Sequence, residues 1–260
     1  MYRGFNLEAT LNQQSIDNFY HIGKRLFDAD RTQVEETLSA FVDADNTLDG
    51  SSIQATWFPQ IDSDIFISHS HTNANMTIAL AGWLWDTFKL KTFIDSCIWG
   101  YSDNLLMLID DKYCRQPNGK YNYRKRNFST SHVHMMLSTA LSLMIDKTEC
   151  IFFLNTPSSV KPSEGIQKTK SPWIYSEIVT TQLVRETIPE RLKILNESWL
   201  NADGQGELIK GETKTFSITH NIDLGHLTEI DFDSLIAWQK KFLKGNALDT
   251  LYELHPTLKK

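Results

Sequence analysis

The first candidate for a chemical role is one acidic side chain within an apolar helix face. Ser171 and Pro172 predict the start of a helix, because serine caps helix N-termini and proline fits the first turn. Apolar residues follow on one arc of this helix, and Glu177 lies in the middle of that arc: Trp173, Ile174, Ile178, Val184 and Ile188. A carboxylate there is costly unless it is paired or functional. Two interpretations stay open, a structural salt bridge and a side chain that faces a ligand.

A second polar group follows a short apolar run. The segment Asp64-Ile-Phe-Ile-Ser-His-Ser-His71 has no polar alternation in its first half, which predicts a strand buried on both faces of a parallel sheet. Ser68, His69 and His71 then come at the end of that strand. Ligands of open α/β sheets bind at the carboxyl ends of the strands. The sequence therefore predicts a binding site at this edge.

Further elements repeat the strand and helix alternation. The strands are predicted at 90–95, ending in Asp95, at 149–155, and with weaker patterns at 192–195 and 216–222; the helices at 76–88, from Val133 after the cap candidates 129–131, from Pro172, and at 233–242. Trp99 lies in the loop predicted after the second strand. Its side chain looks exposed there, which would let it contact a ligand or partner; ordinary packing within the loop is the alternative. A basic loop is predicted at 112–126 and a long polar loop at 157–170. This order predicts an α/β fold, a doubly wound parallel sheet of flavodoxin type.

The domain organisation is predicted from composition shifts along the chain. Residues 1–60 are expected to form a small helical N-terminal extension, with helices at 15–27 and 32–41. Residues 61–245 form the main domain, and 246–260 a C-terminal tail.

Composition narrows the class of protein. The chain has 260 residues, 41% hydrophobic and 22% charged, which is enough for a full core. A net charge of −6 argues against a protein that mainly binds nucleic acid. The three cysteines predict reduced thiols, and no secretory signal or membrane span is recognised, so a cytoplasmic location is expected. The spacing of His132 and His134 suits no shared metal, and none is assigned.

Three common nucleotide or phosphate sites are excluded by their motifs. No G-x-G-x-x-G follows the first predicted strand, and no Walker loop is found, which removes dehydrogenase and P-loop classes. A phosphorelay receiver needs an acid at the end of its third strand, where this chain has Asn155.

The motifs, taken in order, resemble those of the Toll/interleukin receptor (TIR) domain family. Asp64-Ile-Phe-Ile-Ser-His-Ser70 resembles the opening strand motif of that family, Phe93-Ile-Asp95 its second strand, and Ile151-Phe-Phe-Leu154 its third. Ser171-Pro-Trp173 with Glu177 resembles the segment of the catalytic glutamate, in the form W-x-x-x-E. The resemblance covers residues 61–242. The long insertions at 112–126 and 157–170, and Ile174 where many members have cysteine, depart from the usual pattern.

The resemblance implies an enzyme that cleaves NAD⁺ between nicotinamide and ribose, with NAD⁺ as substrate and no cofactor. It implies that Glu177 is the catalytic acid, working ionised with a pKa that need not be raised much. The residues expected to contact substrate are Ser68, His69, His71, Asp95, Trp99 and Trp173. Capping or turn hydrogen bonds are an equally open reading for these supporting residues. The product would be ADP-ribose, or a cyclic or conjugated form of it.

The resemblance also suggests a biological setting. It implies antiphage defence of the Thoeris kind, in which a small-molecule messenger reaches a separate effector, and a homo-oligomer. Two alternatives stay open. One is a non-catalytic TIR scaffold, with Trp99 and Tyr101 at an interface. The other is a deoxyribosyltransferase-like enzyme acting on nucleosides.

Overall fold

A parallel sheet forms the centre of the protein. The computed structural model describes residues 1–8, 13–30, 38–42, 47–99, 102–163, 166–193 and 218–256. The strands are β1 Arg3–Glu8, β2 Ile65–Ser68, β3 Thr92–Phe93, β4 Cys150–Leu154, β5 Lys161–Ser163, β6 Ile166–Thr169, β7 His220–Asn221 and β8 Thr228–Asp231. The helices are α1 Gln13–Asp30, α2 Gly50–Trp57, α3 Ala74–Phe88, α4 Asp95–Ile98, α5 Ser102–Ile109, α6 Tyr123–Lys147, α7 Pro172–Leu183, α8 Glu190–Lys193, α9 Phe232–Lys241 and α10 Ala247–Leu254.

Five strands pair in the order β3-β2-β4-β1-β8, and every neighbouring pair is parallel. Counted from β2, this is the flavodoxin-like order with β1 in the fourth position. The predicted α/β class with a parallel sheet flanked by helices is therefore confirmed. A separate antiparallel sheet joins β5, β6 and β7.

The N-terminal segment is part of this sheet, and the prediction of a purely helical extension over residues 1–60 is wrong. Phe5 pairs with Phe152 and Leu7 with Ile230, so β1 lies between β4 and β8. Helix α1 packs so closely on α3 that a Cβ atom at Gly82 would collide with the carbonyl oxygen of Phe19. The sequence analysis did not predict β1, because the strands that pair with it lie far along the chain.

Most elements of the first two-thirds match the predictions. The helices at 15–27 and 76–88 lie within α1 and α3, and the strands at 90–95 and 149–155 contain β3 and β4. Ser171 caps α7 as predicted, since its Oγ accepts a hydrogen bond from the Ile174 amide at 3.2 Å. The helix predicted at 233–242 is α9. Of the helix predicted at 32–41, residues 38–41 form a 3₁₀ turn, and 32–37 lie outside the described residues.

Several predicted loops and ends are structured differently. Helix α6 begins at Tyr123 with Asn122 as its cap, so the predicted cap at 129–131 is wrong. The basic segment 112–126 overlaps a π-helical turn, Asp110–Cys114, and contains the first turn of α6. The polar loop 157–170 contains the hairpin β5–β6.

The predictions for the last third are less accurate. Residues 190–193 are helical where a strand at 192–195 was predicted, and 194–195 lie outside the described residues. The edge strand predicted at 216–222 is reduced to β7 in the small sheet, with 216–217 outside the described residues. The predicted tail 246–260 contains α10, whose residues Leu248, Leu251 and Tyr252 are buried.

The sheet separates two helical layers. On one face, Phe5 and Phe152 pack against Tyr252 of α10 and Trp238 of α9. On the other face, Ser68 reaches Glu177 of α7, and α6 packs beside α7. Within the described residues, no helix is long and apolar enough to cross a membrane. The three cysteines are free thiols.

Candidate functional site

The predicted catalytic acid lies at the carboxyl edge of the central sheet. Glu177 is only 4% exposed, and its Oε2 accepts a hydrogen bond from Ser68 Oγ at 2.5 Å. Ser68 is the last residue of β2, and α7 brings Glu177 over it from the layer above. The two positions that sequence reasoning selected separately are therefore in direct contact.

Glu177 is buried without a cation. Within the described part of the chain, no lysine or arginine forms an ion pair with Glu177 or with Asp95. Burial raises the pKa of Glu177 well above its ordinary value of 4.5, and the negative charge of Asp95 raises it further. The Ser68 hydroxyl opposes both effects. An acid that works ionised does not need a raised pKa, but the burial of Glu177 on this helix arc raises it.

Asp95 is the second acid of this edge. It follows β3, the neighbour of β2, and opens the short helix α4 in a half-buried position. Its charge acts on both Glu177 and His69. The structure thus brings together two carboxyl groups, as expected from strand ends that meet at one edge.

His69 and His71 occupy different environments. His69 is buried, and neither of its ring nitrogens has a hydrogen-bond partner among the residues that the structure describes. Burial lowers the pKa of His69, whereas the charge of Asp95 raises it, so burial dominates. His71 is exposed, and the two rings meet nearly perpendicular at 6.0 Å between centroids. Burial of His69 therefore favours its neutral imidazole, which lies near the Asp95 carboxyl group.

The two tryptophans assigned to substrate binding are placed differently from each other. Trp99 is 4% exposed and donates its Nε1 hydrogen to the carbonyl oxygen of Pro59 at 2.8 Å, while its ring packs edge-on against Phe93. The prediction of an exposed loop aromatic is wrong for Trp99, because α4 turns it into the core. Trp173 is half-buried one helical turn before Glu177, with its ring edge-on to His134 of α6 at 5.4 Å.

A polar network that the sequence analysis did not select fixes the neighbouring loops. The Thr156 hydroxyl donates to Asn73 Oδ1 at 2.8 Å, which ties the loop after β4 to the loop after β2. Ser159 caps the same turn by donating to the Leu154 carbonyl oxygen at 2.8 Å. The signal for these residues was their position after a buried strand, the same signal that selected Ser68.

Asn6 is a further buried polar residue near this edge. It lies on β1, opposite Phe153 of β4, which is also opposite Ser68 of β2. Asn6 and Ser68 thus project from the same face of the sheet. The Asn6 Oδ1 atom has no hydrogen-bond partner among the described residues. Sequence reasoning missed Asn6 because it placed the first residues outside the domain.

The site as a whole carries negative charge and polar hydrogen-bonding groups. Its members are Ser68, His69, Asp95 and Glu177. His71 lies nearby, in the 3₁₀ turn that follows β2. The described residues contain no group of three or more histidine, cysteine or acidic side chains able to hold a metal ion. Such an arrangement favours a cationic or hydroxyl-rich ligand.

Comparisons with known proteins give no relative from which to transfer a function. No protein-family model, curated protein or solved structure matches the chain.

Proposed function

We propose that this protein is a TIR-type enzyme that cleaves the bond between nicotinamide and ribose in NAD⁺. The observation that carries the proposal is the buried pair of Glu177 and Ser68 at the carboxyl edge of the sheet, beside Asp95 and without a paired cation. A cationic nicotinamide ring supplies the charge that these acids lack. The resemblance of the W-x-x-x-E segment to TIR enzymes supports the same assignment.

The reaction needs a negatively charged group close to the ribose C1′ atom. The bond from ribose C1′ to the nicotinamide nitrogen breaks, its electron pair stays on nitrogen, and neutral nicotinamide leaves. Positive charge then develops on C1′ and the ring oxygen, as in glycoside hydrolysis. The Glu177 carboxylate stabilises this charge. Water adds to C1′ and loses a proton, which gives ADP-ribose; attack by a nitrogen of the adenine ring gives a cyclic product instead.

The raised pKa of Glu177 is compatible with this role. At pH values between the ordinary pKa of 4.5 and the raised pKa, Glu177 in the folded chain keeps a proton that an exposed glutamate loses. A nearby positive charge stabilises the ionised form and lowers the pKa of a carboxyl group. Binding of the nicotinamide cation therefore helps to generate the carboxylate that acts on it, and the Ser68 hydroxyl contributes in the same direction.

Supporting roles follow from position. Asp95 and the nitrogens of His69 accept or donate hydrogen bonds to ribose hydroxyls. Ser68 orients Glu177, and exposed His71 contacts the outer part of the substrate. Trp173, one turn before Glu177, forms part of the wall. Trp99 has no part in the proposed site, since its indole is buried and its donor is occupied.

The proposed setting is cytoplasmic antiphage defence. The product acts as a messenger for a separate effector, and the enzyme works as a homo-oligomer, as the TIR resemblance implies. No nucleic-acid or membrane partner is proposed.

The experiment measures nicotinamide release from NAD⁺ by liquid chromatography, with the purified full chain at several concentrations. Glu177→Gln preserves size and the hydrogen bond from Ser68 but removes the charge, and we expect release to fall about 100-fold or more. Glu186→Gln, at an exposed position outside the site, is the matched control and retains the wild-type rate. Equal rates for Glu177→Gln and wild type would remove Glu177 from the mechanism.

A non-catalytic scaffold is the second candidate. It is favoured by exposed apolar side chains on α5 and α6: Met107, Tyr123, Phe128 and Met135. Self-association of the wild type without NAD⁺ binding or turnover, measured by light scattering and calorimetric titration, would support it. Turnover of nucleosides in place of NAD⁺ would instead indicate a deoxyribosyltransferase-like activity.

A further inference from the structure

A second cavity lies away from the carboxyl edge. It has a volume of about 620 Å³ and is bounded by α2, by α6 and by the π-helical turn Asp110–Cys114. This volume is within the range of small-molecule sites, about 300–1,000 Å³. None of the residues assigned to NAD⁺ cleavage lines it.

The body of the cavity is apolar. Its walls include Leu48 and Ile53 from the α2 side, Ile109 at the end of α5, and Phe128 and Met136 on α6. Phe128 is 69% exposed, and its ring contacts that of His132 at 4.3 Å between centroids. These surfaces would bury a hydrocarbon chain or an aromatic ring.

Positive charge is concentrated in the same wall. Arg124 and Lys125, in the first turn of α6, both line the cavity, and none of the described residues that line it is acidic. Lys125 Nζ donates to the Tyr113 carbonyl oxygen at 3.2 Å, which turns the ammonium toward this side. Arg124 forms no ion pair with any described residue.

Asp110, which is adjacent to the lining residue Ile109, does not neutralise these cations. Asp110 is engaged by Arg126, whose Nε lies 2.8 Å from Oδ2, and by Ser129, whose hydroxyl donates to Oδ1 at 2.5 Å. The charge of Asp110 is therefore balanced by Arg126, without a contribution from Arg124 or Lys125. The cavity thus combines an apolar interior with an excess of positive charge.

The π-helical turn is an independent indication of a binding site. Such turns occur mainly as single insertions within helices and are frequent at functional sites. Here the turn directs Tyr113 and Cys114 into the cavity wall. Burial raises the pKa of Cys114, so its thiol stays neutral and acts as a small apolar group.

We propose that this cavity binds a small amphipathic anion, a molecule with an apolar chain or ring system and one acidic head group. The apolar body lies between α2 and α6, and the head group pairs with Arg124 and Lys125. This site is separate from the Glu177 site and does not depend on the reaction proposed there.

The test uses two competitors with the same ten-carbon chain, one ending in a carboxylate and the other in a hydroxyl group. The fluorescent anion 8-anilinonaphthalene-1-sulfonate is titrated into the full chain, and the bound dye is then displaced with decanoate or with decanol. We expect saturable binding of one dye per chain, and displacement by decanoate at concentrations at least ten times lower than by decanol. Equal displacement by both would contradict an anion site.

Variants separate this cavity from general surface binding. Gly50, the first residue of α2, lines the cavity, and a Cβ atom there meets no atom within 4 Å, so Gly50→Phe places a large side chain at the cavity wall with space for its Cβ atom. We expect it to weaken dye binding at least tenfold. Arg124→Gln should weaken decanoate about fivefold and leave decanol unchanged, whereas Arg185→Gln, exposed and outside the cavity, should change neither.

Thermal unfolding of each variant guards against loss of the fold. Normal dye binding by a folded Gly50→Phe variant would overturn the proposal, and so would absence of saturable binding to the wild type. If Gly50→Phe does not fold, the pair Arg124→Gln and Arg185→Gln decides, and equal decanoate displacement by both overturns the proposal.

Discussion

Glu177 and Asp110 are two buried carboxyl groups of one protein with opposite pKa shifts. Each accepts a hydrogen bond of 2.5 Å from a serine hydroxyl, Ser68 and Ser129 respectively. Asp110 also pairs with Arg126, and the hydrogen bonds from Ser129 and Arg126 together outweigh burial and lower its pKa. Glu177 has Asp95 in place of a cation, and its pKa is raised.

The difference distinguishes a structural acid, Asp110, from Glu177, the acid for which we propose a functional role. A serine hydroxyl alone does not offset the desolvation of a carboxylate, whereas a guanidinium in addition to the hydroxyl does. Asp110 therefore stabilises the joint between α5 and α6. Glu177 is kept at a cost in free energy of folding, which is typical of residues retained for binding or catalysis.

The largest expected effect concerns activity. Glu177→Gln should lower nicotinamide release about 100-fold or more, because a neutral amide does not stabilise the cationic sugar. Asp110→Asn, an equally small change at the other buried carboxyl, should lose less than about threefold in a folded sample. Steady-state rates at saturating NAD⁺ test both. Equal losses in the two variants would erase the distinction between the two acids.

The next effect concerns stability at Asp110. Asp110→Asn should lower the free energy of unfolding by about 2 kcal/mol at pH 7, because Arg126 loses its partner. Half of the Arg126 side chain is exposed, which limits the loss. The pKa of Asp110 is lowered, so this stabilisation is present above its ordinary value of 3.8 and is lost as the pH falls through the folded value. Urea unfolding measures it, with exposed Asp86→Asn as the control.

Glu177 should show the opposite sign. Its pKa is raised, so the folded chain binds more protons than the unfolded chain above the ordinary value of 4.5, and stability falls as the pH rises toward the folded value. Glu177→Gln removes this penalty and should raise the free energy of unfolding by about 1 kcal/mol at pH 8. The gain should vanish near pH 4. A loss of stability at pH 8 would show that the charge is compensated.

The smallest effect concerns Ser68. Its hydroxyl lowers the pKa of Glu177, so Ser68→Ala should raise that pKa further. If the ionised acid is active, the rise of kcat/KM with pH then moves to higher pH. Profiles between pH 5 and 9 for wild type and Ser68→Ala give the answer. A profile that moves to lower pH would contradict the assigned role of the hydroxyl.

The sequence predicted those parts of the fold whose signals are local. The uninterrupted apolar runs of β2 and β4, and the serine and proline before α7, were sufficient. The end of β2 also predicted the position of Ser68 at the edge of the sheet, whereas placing Glu177 there depended on the resemblance to TIR domains. That the two are directly bonded depends on how α7 crosses β2, which no local pattern contains.

The errors share a different physical cause, which is tertiary context. Serine is a common helix-capping residue, but Ser129 lies in the interior of α6 and donates a hydrogen bond to Asp110. Trp99 stands in a polar stretch, yet it is buried because Phe58, Phe93 and Pro59 surround it. The strand β1 carries few strand signals of its own, and only its neighbours β4 and β8 define it.

The position of β1 has a consequence for how the protein is made. Arg3–Glu8 leaves the ribosome before its partners β4 and, later still, β8. Until β4 is synthesised, this segment has no strand to pair with in its native place, and contacts so distant in sequence slow folding. The nascent chain therefore carries an unpaired strand segment until β4 has been made, and during that time this segment is open to pairing with the wrong partner.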